Sequence, residues 1–234
     1  MNKNKLLRYT NVPVATIFAK EKELINKLQE NIIEQCLILW QANESTLVLP
    51  SSNKWPQSDY LKEGLKSSGW QLLARQTGGA PVPQCKGVIN LSHLYSWPDI
   101  QPFSIKLAYE NLCAVLIAFF AKFSLTSETH PTPFSYCDGE YNLNINGKKI
   151  VGTALRVINK KEGERIILAQ AFILIDVLVE ELIKPVNLCY QLSERGESVL
   201  ASAHTSLFQQ TQERPSVDQL YQQLTQAFIE SKLY

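Results

Sequence analysis

Apolar and polar positions follow two periods along this chain, and each period predicts a different kind of element. Leu24 and Leu28, with Ile32 after them, recur at helical spacing and predict a short helix over 21–31. The apolar runs 37–40 and 46–49 predict two strands across a short polar turn, 41–45. Ser58 can cap a helix that runs to about residue 68, where Gly69 ends it; Leu61 and Leu65 would face the core. A strand over 71–76 then enters a breaker-rich loop, 77–87, and another strand follows over 88–95.

The longest helix predicted is 105–123. Leu112, Val115, Leu116, Phe119, Phe120 and Phe123 cover a broad face of it, so it should lie centrally. A Pro-containing loop, 127–138, leads to Asn146-Gly147, which stands between the segments 141–145 and 148–157 and is the strongest hairpin signal in the chain. A second turn at 161–164 precedes a strand from Arg165. A short helix over 176–184 should stop at Pro185, and Ser216 should cap a last helix, 217–232, with Leu220, Leu224 and Phe228 on one stripe. Hairpins dominate the middle of the chain. The expected class is therefore α+β: a single domain over 1–234 with a mixed, mainly antiparallel sheet flanked by helices.

Composition narrows the function. Apolar residues make up 45% and charged residues 19% of the 234, which fits a packed domain with ample core. The formal charge of +1 argues against a nucleic-acid or anionic-membrane partner. The longest apolar run, 112–121, is too short to span a bilayer, and the polar, basic start is not a signal peptide. Five cysteines without a CxxC pair suit free thiols in a reducing compartment, hence a cytoplasmic protein. The three histidines, His93, His130 and His204, have no metal-site or catalytic spacing, so no metal is expected.

Three constellations can carry chemistry. In Arg75-Gln76-Thr77-Gly78-Gly79-Ala80-Pro81-Val82-Pro83, paired glycines can bring N–H groups close to a ligand while the arginine holds an anion; a tight surface turn explains the same residues. In Asn146-Gly147-Lys148-Lys149-Ile150-Val151-Gly152-Thr153-Ala154, Lys149 is either a solvated charge or an oxyanion partner facing the room left by Gly152, Thr153 and Ala154. In Ser135-Tyr136-Cys137-Asp138-Gly139, Cys137 is either an unreactive loop thiol or a nucleophile activated by a nearby cation such as Lys149. Cys36 and Cys113 read as inert core. Cys85, in the glycine loop, stays open as an alternative thiol.

Taken in this order, the constellations resemble the lipoate–protein ligase A and octanoyltransferase family. Arg75-Gln76-Thr77-Gly78-Gly79 with Ala80-Pro81-Val82 looks like its acyl-binding loop, and the segment 146–154 looks like its lysine hairpin. Further similarity runs through Leu39-Trp40-Gln41, 46–49, 87–91 and 216–228. The resemblance implies the α+β fold shared with biotin–protein ligases and class II aminoacyl-tRNA synthetases. It also implies that Lys149 contacts the acyl carbonyl, that Arg75, Thr77, Gly78, Gly79 and Ala80 form the acyl-binding loop, and that Gly152, Thr153 and Ala154 flank the same pocket. Two departures stand out. Ala74 and Ala80 occupy positions where the family often has a second Arg and a third Gly, and the chain stops where ligases continue into an accessory domain.

The run Ser135–Leu143 resembles the amidotransferase branch, in which the cysteine at the position of Cys137 forms an acyl-thioester. The implied activity is transfer of an octanoyl or lipoyl group onto a lysine of a lipoyl-carrier domain, with no cofactor required. The implied partners are the glycine-cleavage H protein and 2-oxoacid dehydrogenase acyltransferase subunits. An ATP- and Mg-dependent ligase, or a non-catalytic acyl or carrier binder, are the alternatives on the same fold.

Overall fold

Ten strands and six helices follow one another in a computed structural model that describes residues 3–50, 55, 58–75, 79–98, 102–160, 163–194 and 198–231. Gln76, Thr77, Gly78, Lys161 and Lys232, which fall within sequence-based expectations, lie outside the described residues. The strands are β1 (Asn4–Val12), β2 (Gln35–Ala42), β3 (Thr46–Pro50), β4 (Gln71–Arg75), β5 (Val82–Gln84), β6 (Val88–Ser96), β7 (Glu128–Thr129), β8 (Leu143–Ile145), β9 (Lys148–Asn159) and β10 (Arg165–Leu174). The helices are α1 (Val14–Gln29), α2 (Asp59–Ser67), α3 (Ile105–Ala121), α4 (Val179–Leu192), α5 (Leu207–Gln210) and α6 (Val217–Glu230).

Seven strands form the main sheet in the order β1-β2-β6-β10-β9-β8-β7, and β4-β3-β5 form a small second sheet. Among the described strands only β1–β2 and β3–β4 pair in parallel, so the fold is α+β with mixed, mainly antiparallel sheets, as expected. The two faces of the main sheet are both covered. Ile167, Ala169, Ala171 and Ile173 of β10 share a core cluster with Leu112, Leu116, Phe119 and Phe120 of α3 and with Leu220 and Leu224 of α6. Ile166 and Leu168 of β10 join Ile38 and Trp40 of β2 and Ile17, Leu24 and Leu28 of α1 on the other face. Further along that face, Phe172 and Leu174 pack with the small sheet, α2 and α4. Each fully buried Leu, Ile or Phe contributes about 1.5–3 kcal/mol, so this burial, more than helix propensity, fixes α1 and α3.

Local signals place several boundaries. The Ser58 hydroxyl accepts from Leu61 N–H at 3.2 Å and starts α2. Ser216 and Gln219 form a reciprocal capping box at α6. Asn146 and Gly147 both have positive φ, 52° and 71°, the left-handed pair a tight hairpin turn needs.

Other expectations are corrected. The segments 37–40 and 46–49 are strands, but β2 and β3 belong to different sheets. The loop 127–138 contains the short strand β7, which pairs with β8. Pro185 does not stop a helix; it sits inside α4, because Val186, Cys189 and Tyr190 beyond it are buried and hold the next turns in place. Among the described residues, no helix is long and apolar enough to cross a membrane.

Candidate functional site

A cavity of about 510 Å³ opens on the α1 face of the main sheet, between α1 and the small sheet. Phe18 and Ile25 of α1, Trp40, Val48, Val82, Leu168 and Phe172 give it apolar walls. Arg75, Cys137, Gly152, Thr153 and Ala154 line it as well. A mostly apolar cleft with a few converging polar groups is the usual form of a small-ligand site.

Cross-strand pairing makes the space. Gly152 of β9 lies opposite Phe172 of β10. A Cβ on Gly152 would meet the Phe172 ring at 2.9 Å, so the absence of a side chain lets this ring approach the strand. The same Cβ would stand 3.4 Å from Lys149 Cε, which puts Lys149 and Gly152 on one side of β9 although they are three residues apart. The β8–β9 register explains this. Asn144 pairs with Lys149 and Leu143 with Val151, so Ile150 is an extra residue, and this bulge re-aims the lysine.

Lys149 is fully buried. Its Nζ donates to the carbonyls of Tyr136 at 2.5 Å and Cys137 at 2.9 Å and stands 4.5 Å above the Tyr136 ring. Two of its three donors are therefore engaged. Burial pushes the ammonium down to about 8, while Cys137 and Asp138 pull it upward.

The loop above is tied down from several sides. Asn142 Nδ2 also donates to the Cys137 carbonyl, at 2.9 Å, and Thr132 N–H donates to the Asp138 carboxylate. Thr132 Oγ1 bonds Asn144 Oδ1 at 2.6 Å. These bonds hold Cys137 in the left-handed region at φ 52°, a conformation costing a non-glycine residue about 1 kcal/mol or more. The bend turns the main-chain carbonyls down to Lys149, and the side chain reaches the cavity.

The glycine loop meets the sulfur from the opposite side. A Cβ on Gly79 would stand 3.8 Å from Cys137 Sγ and 3.1 Å from Arg75 Nη2, so thiol and guanidinium converge on one point. Arg75 donates to the Ala80 carbonyl at 3.0 Å, and Trp55 Nε1 holds the Gly79 carbonyl at 3.1 Å. Burial lowers the Arg75 guanidinium, and the Cys137 sulfur opposes that shift.

The structure thus brings together Cys137, Arg75, Gly79, Gly152, Thr153 and Ala154. Ala80 does not line the cavity, its carbonyl accepting from Arg75, and Lys149 lies one layer beneath. Cys36, Cys113 and Cys189 are buried, and burial pushes each thiol up to about 11. Cys85 is half-buried like Cys137, but burial pushes its thiol up to about 11 and it does not line the cavity. Sequence reasoning overlooked Phe172, the α1 wall and His204. His204 reads as isolated in sequence, yet it forms a β-bridge with Lys149. No local motif signals that contact, because the two positions are far apart along the chain.

Comparison with known proteins agrees with this architecture. The model of the lipoyl protein ligase A/B catalytic domain matches residues 13–229. An octanoyl-[GcvH]:protein N-octanoyltransferase from Geobacillus kaustophilus (strain HTA426) is 32% identical over 116 residues, 49% of this chain and 40% of that protein. One of the same name from Macrococcus caseolyticus (strain JCSC5402) is 33% identical over 141 residues, 59% of this chain and 49% of that protein. The chain spans about half the length of the relatives it matches. A crystal structure of lipoate-protein ligase A bound with ATP superposes with a TM-score of 0.73, covering 99% of this chain and 85% of that one at 17% identity, a likeness of fold.

Proposed function

The chain belongs to the lipoyl protein ligase A/B catalytic domain family, and we propose that it acts there as a protein acyltransferase that passes an octanoyl or lipoyl group through Cys137. The observation that carries this reading is the placement of one half-buried thiol on an apolar cavity, between the Arg75 guanidinium and the loop anchored on the Lys149 ammonium. Two relatives named for acting on GcvH support an octanoylated H protein as donor. Lipoyl domains of 2-oxoacid dehydrogenase acyltransferase subunits are the acceptors by the family resemblance.

The chemistry runs in two halves. The Cys137 sulfur attacks the acyl carbonyl of the donor's acyl-lysine; the C–S bond forms, the C–N bond breaks, and the thiol proton ends on the departing lysine amine. An acceptor lysine amine then attacks the thioester; the C–N bond forms, the C–S bond breaks, and a proton returns to sulfur. One amide replaces another, so the exchange needs no ATP. Lys149 and Arg75 set two cations about the Cys137 loop, and the Gly79 side of the loop faces the developing oxyanion. The medium-length chain lies in the cavity against Phe172 and the α1 wall. The free thiols suit a reducing, cytoplasmic setting.

The test follows octanoyl transfer from octanoylated H protein to a lipoyl domain by mass spectrometry, without nucleotide. Transfer should occur and should fall at least about 10³-fold in Cys137→Ala. Transfer that requires ATP and free octanoate, and that survives Cys137→Ala, overturns the proposal in favour of a ligase on the same fold.

A further inference from the structure

Behind the Lys149 ammonium lies a buried ring pair that takes no part in the acyl exchange. Tyr136 is fully buried, and its ring centroid is 4.5 Å from Lys149 Nζ. His204 stacks on Tyr136, with centroids 4.7 Å apart and planes inclined by 14°, while Phe172 packs against the same ring at 5.5 Å. The strand bridge between Lys149 and His204, and the bond from Thr205 N–H to the Lys149 carbonyl at 2.9 Å, join the stack to β9.

The protonation of His204 follows from its contacts. Its Nδ1 lies 2.9 Å from the Leu200 carbonyl, which can only accept, so Nδ1 carries the proton. Nε2 is buried and has no hydrogen-bond partner among the described residues, as has the Tyr136 hydroxyl. Burial and the Lys149 charge push His204 down to about 4, so the ring is neutral where the enzyme works. The groups facing Lys149 are Cys137 and Asp138 from the loop, His204 from behind and the Tyr136 ring. A buried ammonium gains from the negative face of an aromatic ring, and most where water is excluded.

We propose that Tyr136, braced by His204, is a positioning residue that keeps Lys149 an ammonium beneath the Cys137 loop. It acts through its ring face and its main-chain carbonyl and touches no substrate. The tyrosine hydroxyl, lacking a partner, contributes nothing to this, so phenylalanine should serve equally well. The catalytic value of the device rests on the acyltransferase reading; its physical content does not.

The experiment therefore avoids turnover. In protein labelled with ¹³C-lysine, the Lys149 Cε resonance is identified by its loss in Lys149→Met and titrated from pH 6 upward. Wild type should titrate near 8. Tyr136→Phe should match it within about 0.3 unit, and pentafluorophenylalanine at position 136, which keeps the shape but reverses the ring's charge distribution, should lower it by about one unit. A midpoint unmoved by the fluorinated ring, or lowered as far by plain phenylalanine, overturns the proposal. The fluorinated shift together with absence of any Cys137 adduct would leave this inference standing and remove the acyltransferase.

Discussion

Replacing Lys149 by methionine should change how stability depends on pH. In the folded chain the Lys149 ammonium titrates near 8, against an ordinary 10.5. Below about pH 8 both states hold the proton, and the folded state bears the full cost of a buried charge. Between about 8 and 10.5 the folded state releases its proton while the unfolded state keeps it, so the unfolded state binds more protons and stability rises with pH. A depression of roughly two and a half pH units corresponds to about 3 kcal/mol.

Four thiols act against this rise in wild type. Cys36, Cys85, Cys113 and Cys189 are pushed up from 9.0 to about 11, so their contribution fades as the unfolded chain ionises above 9. They are common to both proteins and cancel in the difference. The assay is urea unfolding of wild type and Lys149→Met under reducing conditions at several values from pH 7 to 10.5. The stability difference should move by about 3 kcal/mol in favour of wild type across that window. Parallel pH profiles would refute the assignment of a charged, desolvated lysine. Under the proposed mechanism the ammonium is the working form, so acyl transfer should decline over the same range above about 8.

Other expectations test the cavity and its frame. Gly152→Ala should destabilise the protein by about 1–3 kcal/mol, since the new Cβ meets the buried Phe172 ring at 2.9 Å; thermal melting and transfer rate should fall together. Gly87→Ala should be worse, because φ is +91° and the Cβ would stand 2.0 Å from the Asp176 carbonyl oxygen; failure to accumulate folded protein, or a loss above about 3 kcal/mol, is expected in chemical unfolding.

Elements fixed by local chemistry were legible in the sequence. The Asn146-Gly147 turn, the Ser58 and Ser216 caps and the greasy stripe of α3 all declare themselves within a few residues. Elements fixed by tertiary context were not. Strand β1 leaves most side chains exposed and is held by its parallel ladder to β2, so it carries no burial pattern to detect. The first turns of α1 are missed for a related reason: the helix begins behind Pro13 without a side-chain cap. Pro185 looks like a stop until the burial of Val186, Cys189 and Tyr190 is known.

The candidate site divides the same way. Chain order places Cys137 just ahead of the hairpin that carries Lys149, so their nearness could be suspected. That Lys149 is wholly buried depends on the bulge at Ile150, and a lysine two residues past a turn gives no sign of it. The contact of His204 with Tyr136 depends on a return of the chain from α4, which no spacing rule encodes.

The central claim concerns the Cys137 sulfur, and intact-mass spectrometry reads it directly. After brief exposure to octanoylated H protein, the chain should gain the mass of one octanoyl group, lose it to neutral hydroxylamine, and gain nothing as Cys137→Ser. No adduct on wild type while acyl groups still reach the acceptor, or an adduct that persists in Cys137→Ser, would contradict the account.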